Sequence, residues 1–270
     1  MHVSAASIIC MATCAVFCVA IPFVLMAIVK KKFNTGIAPF FIGWAVFTLF
    51  ALILEPIMHN AVLLGKYGDV IQNNIWLYAL YGGFAAGIFE ETGRFLAFKT
   101  VMRKSRDKAD GVMYGAGHGG FEALIVAGMG MVSNIVMALM MNLGLTDMLT
   151  TGMDEATLAT FNSQLEQLAT LAPGTFLLGA VERCSAIALH IALSVLVWTA
   201  AKQAKKGWLY PVAILIHAFA DGVLVILANG LGMNVYLVEA ILAVMVAVIV
   251  FFAVKVYKST NVETECNNQQ

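Results

Sequence analysis

The side chains of this chain that could do chemistry are acids and histidines placed inside long apolar stretches. Glu90 and Glu91 are adjacent, Arg94 follows three residues later, and His118 precedes Glu122 by four. Later segments add Glu182, Arg183, His190, His217 and Asp221. A separation of three or four residues places two side chains on one face of a helix. The spacing therefore predicts small groups of acids, imidazoles and guanidinium groups that act together.

The surrounding sequence predicts that membrane helices position these residues. The chain is 61% hydrophobic and 12% charged, whereas soluble proteins carry roughly 25% charged residues. Runs of about twenty apolar residues favour helices over a β-barrel. We therefore expect an all-α, polytopic transmembrane bundle of about seven spans, at approximately 4–29, 37–63, 74–98, 111–142, 173–200, 208–229 and 233–256.

Positive charge predicts the orientation of these spans. Thirteen Lys and Arg residues fall in loops on one side of the predicted membrane, and Lys66 alone falls on the other. Because basic residues accumulate in cytoplasmic loops, the amino end is expected outside and the carboxyl end in the cytoplasm. The acidic outer loop 144–172 should contain an amphipathic surface helix over 154–170. Residues 1–258 are expected to form one membrane domain, with a disordered cytoplasmic tail at 259–270.

The ionisable residues are expected to form one buried site. An ionisable group at the bilayer centre costs on the order of 2.5–3.5 kcal/mol, and at 1.5 Å per residue four helices place such groups ~10–20 Å below the inner boundary. Glu55, His59 and Glu239 lie nearer the outer boundary and are interpreted as interface residues. The alternative for any single buried residue is a hydrogen bond that holds two helices together.

A metal ion is one way to balance the excess of buried acids. His118, Glu122, His190 and His217 offer nitrogen and oxygen ligands from three helices, and zinc in catalytic sites takes three such ligands plus water. Zinc is accordingly the candidate cofactor. The open alternative is that the acids hold protons, since burial shifts carboxyl pKa values by several units. The chain has no basic domain or recognition module, which argues against nucleic-acid binding.

These motifs resemble those of the YhfC family of intramembrane metalloproteases, which is related to the PrsW and CAAX-type (CPBP) proteases. The resemblance spans roughly residues 74–225 and rests on Glu-Glu-x-x-Arg, Gly-His-Gly-Gly-Phe-Glu, Glu-Arg followed by His190, and His-x-x-x-Asp. It implies that Glu90 or Glu91 is the base, with support from His118 or Glu122. It further implies that His190 and His217 polarise the carbonyl or bind metal, and that Asp221 orients His217.

The function expected from these observations is intramembrane proteolysis. The chain would be an endopeptidase of a bacterial cell membrane that uses glutamate- and histidine-activated water, with or without zinc, on a membrane-associated protein or peptide. Glu91 is favoured over Glu90 as the base because its spacing pairs it with Arg94. The alternative is a non-catalytic membrane protein, or one that moves protons or cations along the same polar cluster.

The predicted orientation is tested by cysteine labelling. A cysteine placed in 144–172 should react with an impermeant maleimide in intact cells, whereas one placed in 99–110 should react only after the membrane is opened, because the basic loops are expected inside. Labelling of the 99–110 loop in intact cells would contradict the predicted orientation.

Overall fold

The protein is all-α over the residues that the structure describes, 1–260, in a computed structural model. The helices are α1 Ala5–Phe33, α2 Ala38–Leu49, α3 Glu55–Leu63, α4 Gly68–Gln72, α5 Ile75–Lys99, α6 Ala109–Glu122, α7 Met129–Asn142, α8 Asp147–Thr150, α9 Glu155–Thr170, α10 Thr175–Lys202, α11 Leu209–Val225 and α12 Val235–Ser259. This confirms the predicted all-α class and polytopic helical architecture.

Six of the helical segments in the described chain are long and apolar enough to cross a membrane. They are Ala5–Phe33, Ala38–Leu63, Ala109–Asn142, Thr175–Lys202, Ala204–Gly230 and Val235–Ser259. The seventh predicted span is helix α5, which has the required length at 25 residues. Its sequence is less apolar than that of the other six segments because it contains Glu90, Glu91, Arg94 and Lys99. Its crossing of the bilayer and the orientation of all spans stay predictions.

The described chain separates into two compact units. The first comprises Met1–Phe23 and Glu122–Cys184, and the second comprises Val24–Phe121 and the described residues from Ser185 onwards. The expectation of a single domain over 1–258 stays a prediction. Of the predicted tail, Ser259 ends α12 and the buried Thr260 side chain donates to the Val256 carbonyl at 2.7 Å, whereas 261–270 lie outside the described residues.

The first unit contains the predicted surface helix. Helix α9 begins after Asp154, whose carboxylate accepts from the Thr157 backbone N–H at 2.7 Å and so caps the helix. That hydrogen bond holds the pKa of the Asp154 carboxyl below its usual value. Leu165 and Leu168 are buried in an apolar cluster with Met11 and Phe176. The prediction of an amphipathic helix at 154–170 is therefore confirmed.

The core of the second unit is built around the second half of α10. From Leu189 to Ala201 most side chains of this helix are buried, and they pack with residues of α5, α11 and α12. Trp198 is the largest of these side chains. A helix that is apolar all round is buried on all sides, so α10 holds His190 at a fixed depth inside the unit.

Glycines bring the site-bearing helices into close contact. On α5, a Cβ at Gly83 would overlap the Ala218 carbonyl of α11, and one at Gly87 would lie 2.8 Å from the Ile214 oxygen. On α6, a Cβ at Gly115 would lie 2.6 Å from Ile191 Cα of α10. Small residues at such interfaces let helix backbones approach closely. The spacing places Glu91 beside α11 and His118 beside α10.

Within residues 1–260, three π-helical turns interrupt the predicted spanning helices. They are Phe50–Leu54 between α2 and α3, Ala123–Gly128 between α6 and α7, and Ile226–Gly230 after α11. A π turn adds about one residue to a helical turn, so the following residues rotate relative to the preceding ones. The turn at 123–128 lies within the predicted fourth span, 111–142.

We expect Gly83→Ala to destabilise the protein, by roughly 1–3 kcal/mol, because the added methyl group overlaps the α11 backbone. Gly82→Ala is the matched control, since a Cβ there meets nothing within 4 Å and alanine is favoured in helices. Thermal unfolding of both variants in detergent measures the difference. Equal melting temperatures for the two variants would contradict the close α5–α11 packing.

Candidate active site

The second unit contains a buried cluster of one acid and two imidazoles. Glu90 of α5, His118 of α6 and His190 of α10 each offer a ligand atom, and these atoms lie within 4.8 Å of one another. His118 Nε2 is 2.8 Å from Glu90 Oε2, and His190 Nδ1 is 3.8 Å from the same oxygen. All three residues are buried. The edge of the Phe47 ring packs against the His118 ring, with centroids 5.2 Å apart, and so limits its rotation.

A second set of contacts surrounds Glu91. Arg94 donates to both oxygens of the Glu91 carboxylate, and both side chains are completely buried. His217 of α11 places Nδ1 at 2.8 Å from Glu91 Oε1. The other His217 nitrogen, Nε2, lies 3.4 Å from Asp221 Oδ2. His217 is therefore held between a buried carboxylate and a more open one, since the Asp221 side chain is 40% exposed.

Arg94 joins the two sets. Arg94 Nη2 donates a hydrogen bond to His190 Nδ1 at 3.0 Å, while Arg94 Nη1 donates to the Glu91 carboxylate. The His190 and His217 ring centroids are 5.3 Å apart. A single guanidinium therefore fixes a carboxylate on its own helix and an imidazole on α10, which sets the geometry between the two sets.

One predicted site residue, Glu122, lies in the first unit and has its partner there. Arg183 Nη1 donates to Glu122 Oε1 at 2.7 Å, and Arg183 also pairs with Glu182. Glu122 thus belongs to an ion triad on α6 and α10 within that unit. The predicted metal set and the observed cluster share His118 and His190, whereas the cluster contains Glu90 in place of Glu122 and His217.

The cluster fits a divalent metal ion in its choice of ligands. Two imidazole nitrogens and one carboxylate oxygen form the donor set found in several catalytic zinc sites. Ligand atoms around a tetrahedral zinc are roughly 3.4 Å apart for metal–ligand distances of about 2.1 Å, so the present separations need only small adjustment. A metal bound to Nδ1 of His190 would replace the hydrogen bond from Arg94.

An apolar groove of the second unit contains none of these residues. It has a volume of about 1040 Å³ and lies between α5, α11 and α12, where its lining residues are apolar apart from the Trp76 ring nitrogen. His217 and Asp221 lie on a different face of α11 from the lining residues Leu215 and Phe219. The groove is an apolar surface and is not part of the site.

Sequence comparisons identify relatives of this chain. The model of the YhfC intramembrane metalloprotease family matches residues 17–242. The chain is 36% identical over 237 residues to an "Uncharacterized membrane protein YhfC" of Bacillus subtilis (strain 168), covering 87% of this chain and 90% of that protein. No solved structure matches the chain significantly.

Replacing single histidines should separate the two candidate metal sets. We expect His118→Ala and His190→Ala to abolish metal binding because each removes one of three ligands, whereas His217→Ala should retain it because His217 contacts Glu91 and Asp221 instead. Elemental analysis of purified protein measures the metal content, expected at about one ion per chain in the wild type. Metal lost only from the His217 variant would exclude the Glu90–His118–His190 set.

Proposed function

Because the chain belongs to the YhfC family of intramembrane metalloproteases, we propose that it is an endopeptidase that hydrolyses a peptide bond inside the membrane. The observation that carries this proposal is the buried cluster of Glu90, His118 and His190. Three helices contribute ionisable groups to one place in the bilayer, where such groups are costly and commonly functional. The chain is a membrane protein, and a bacterial cell membrane is its proposed location.

Glu90 is the carboxylate best placed to accept a proton from water. Its carboxylate contacts two imidazoles, with His118 Nε2 at 2.8 Å and His190 Nδ1 at 3.8 Å from Oε2. Glu91, by contrast, is held by Arg94 and His217. In the proposed reaction Glu90 takes a proton from water as the oxygen attacks the peptide carbonyl carbon, and later gives that proton to the departing amine as the C–N bond breaks.

His217 is proposed to stabilise the negative charge that develops on the carbonyl oxygen. Nδ1–H donates to Glu91, which fixes the orientation of the ring. When His217 is protonated, Nε2–H faces the open side of the site, where its contact with Asp221 is long at 3.4 Å. A substrate oxygen can take that hydrogen bond, in the manner of an oxyanion hole. Asp221 then acts as a positioning residue for the imidazole.

Glu91 and Arg94 are proposed to position the site, since both are completely buried. Arg94 orients His190 directly, and Glu91 orients His217. Were a divalent metal bound by Glu90, His118 and His190, it would supply Lewis-acid activation of the water, lowering the pKa of that water towards ~7, and Glu90 would then serve as a ligand; without a metal, Glu90 is the base. The proposed substrate is a membrane protein or peptide whose cleaved bond lies within or beside the bilayer.

Glutamine substitutions should distinguish the base from the positioning residue. Glu90→Gln should lower the cleavage rate by 10²-fold or more, the usual contribution of a general base, with little change in melting temperature. Glu91→Gln should lower both the cleavage rate and the melting temperature, because removing one partner of a buried ion pair costs about 3–5 kcal/mol. The measurements are thermal unfolding and a comparison of membrane-protein fragments in cells with each variant, followed by cleavage of identified substrates in detergent.

The matched control is Glu239→Gln in α12, which makes the same change in another spanning helix. Cells with this variant should contain the same membrane-protein fragments as cells with the wild-type protein. Wild-type cleavage by both the Glu90 and Glu91 variants would exclude a glutamate-dependent protease. Proton flux in liposomes that is lost with Glu90→Gln would instead favour a translocating protein.

A further inference from the structure

A second chain of polar contacts lies towards the predicted outer end of the second unit. His59 Nε2 is 3.1 Å from Glu55 Oε1 on the same helix, α3, and His59 Nδ1 is 2.8 Å from the Tyr81 hydroxyl on α5. The Tyr81 hydroxyl donates to Met58 Sδ at 3.1 Å, so it accepts a hydrogen bond from His59. Three polar groups of α3 and α5 are thus connected by hydrogen bonds.

Glu55 shares its electrostatic environment with the active site. Its carboxylate interacts with the charges of Glu90, His217 and Asp221. Asp221 is the most exposed residue of the site, at 40%, and His59 is 31% exposed at its side chain. Asp221 of the candidate site and His59 of α3 therefore extend the polar region beyond the buried cluster.

Position along the helices places this polar chain between the site and the predicted outer boundary. His59 is four residues before the end of α3 at Leu63, which is ~6 Å, and Glu55 is eight residues before it, which is ~12 Å. Tyr81 is six residues, or ~9 Å, after the start of α5 at Ile75. Glu90 follows nine residues later on the same helix. The polar groups thus occupy successive depths from the outer end inwards.

The π turn at Phe50–Leu54 determines which face of α3 carries these residues. It ends immediately before Glu55. One extra residue in a turn rotates the following helix by about 100° relative to α2. In the resulting orientation His59 contacts Tyr81 of α5, while Ile57 is 62% exposed on another face.

We propose that Glu55, His59 and Tyr81 form the polar route through which water enters the active site from the outer side of the membrane. This inference rests on the proposed function, because each peptide bond hydrolysed consumes one water molecule at a site surrounded by apolar helices. Ionisable residues within membrane spans commonly line such water-filled paths.

Cysteine accessibility tests the route without any assay of cleavage. In protein whose native cysteines are replaced, His59→Cys should react with a charged, impermeant thiol reagent added outside, at least about tenfold faster than Ile57→Cys, because the reacting thiolate forms in water and not in lipid. Tyr81→Cys and Leu80→Cys form a second matched pair on α5. Equal, slow labelling within both pairs would overturn the route.

Blocking the route tests whether it serves the active site. A bulky adduct on His59→Cys should lower the cleavage rate at least about tenfold, whereas the same adduct on Lys66→Cys, in the loop after α3, should leave it unchanged. Full turnover by completely labelled His59→Cys protein would overturn the role of the route. If His59→Cys labels quickly but wild-type protein cleaves nothing, the route stands and the proposed protease function fails.

Discussion

The buried ion pair between Glu91 and Arg94 is the interaction on which the site depends. Two charges removed from water cost several kcal/mol each unless their partners are well placed. Arg94 meets this requirement by bonding both Glu91 oxygens and the His190 ring, and Glu91 completes it by bonding His217. Because these contacts reach from α5 to α10 and α11, neutralising the charges also fixes the relative positions of the buried acids and imidazoles. The stability of the unit and the geometry of the candidate site therefore rest on the same hydrogen bonds.

The same constraint operates throughout the ionisable residues of the described chain. Glu90 pairs with His118, Asp221 with His217, and Glu122 and Glu182 both pair with Arg183. Arg94 lies in the second unit beside the Glu90–His118–His190 cluster, and Arg183 lies in the first unit. Acids in the predicted spans outnumber guanidinium groups in both units: Glu122 and Glu182 share Arg183 in the first, whereas imidazoles supply the remaining partners in the second. The imidazoles make the second unit the part of the protein suited to proton transfer or to holding a cation.

Much of the architecture could be predicted from sequence, because the length of an apolar run and the spacing of charged residues are local properties. The helical segments and the amphipathic helix α9 follow from such patterns. The partition of residues within the site could not be predicted in this way. Whether His217 faces Glu91 or the Glu90 cluster depends on helix rotation, which the glycine contacts and π turns determine. Helix rotation also determines the link from Glu55 through His59 to Tyr81. Sequence spacing could not predict this link, and from spacing alone Glu55 and His59 are interpreted as membrane-interface residues.

The charged sequence of α5 has a consequence for how the protein enters the membrane during synthesis. Each isolated charge at mid-helix opposes lateral transfer from the translocon into lipid by about 2.5–3.5 kcal/mol. Glu91 and Arg94 are three residues apart on one helix, so they can neutralise each other before any other helix is present. The contacts of Glu90 with His118 and His190 form only after α6 and α10 have been made. For α5 as a predicted span, stable insertion is therefore coupled to the arrival of α6 and α10, so that membrane insertion and assembly of the buried cluster become one process.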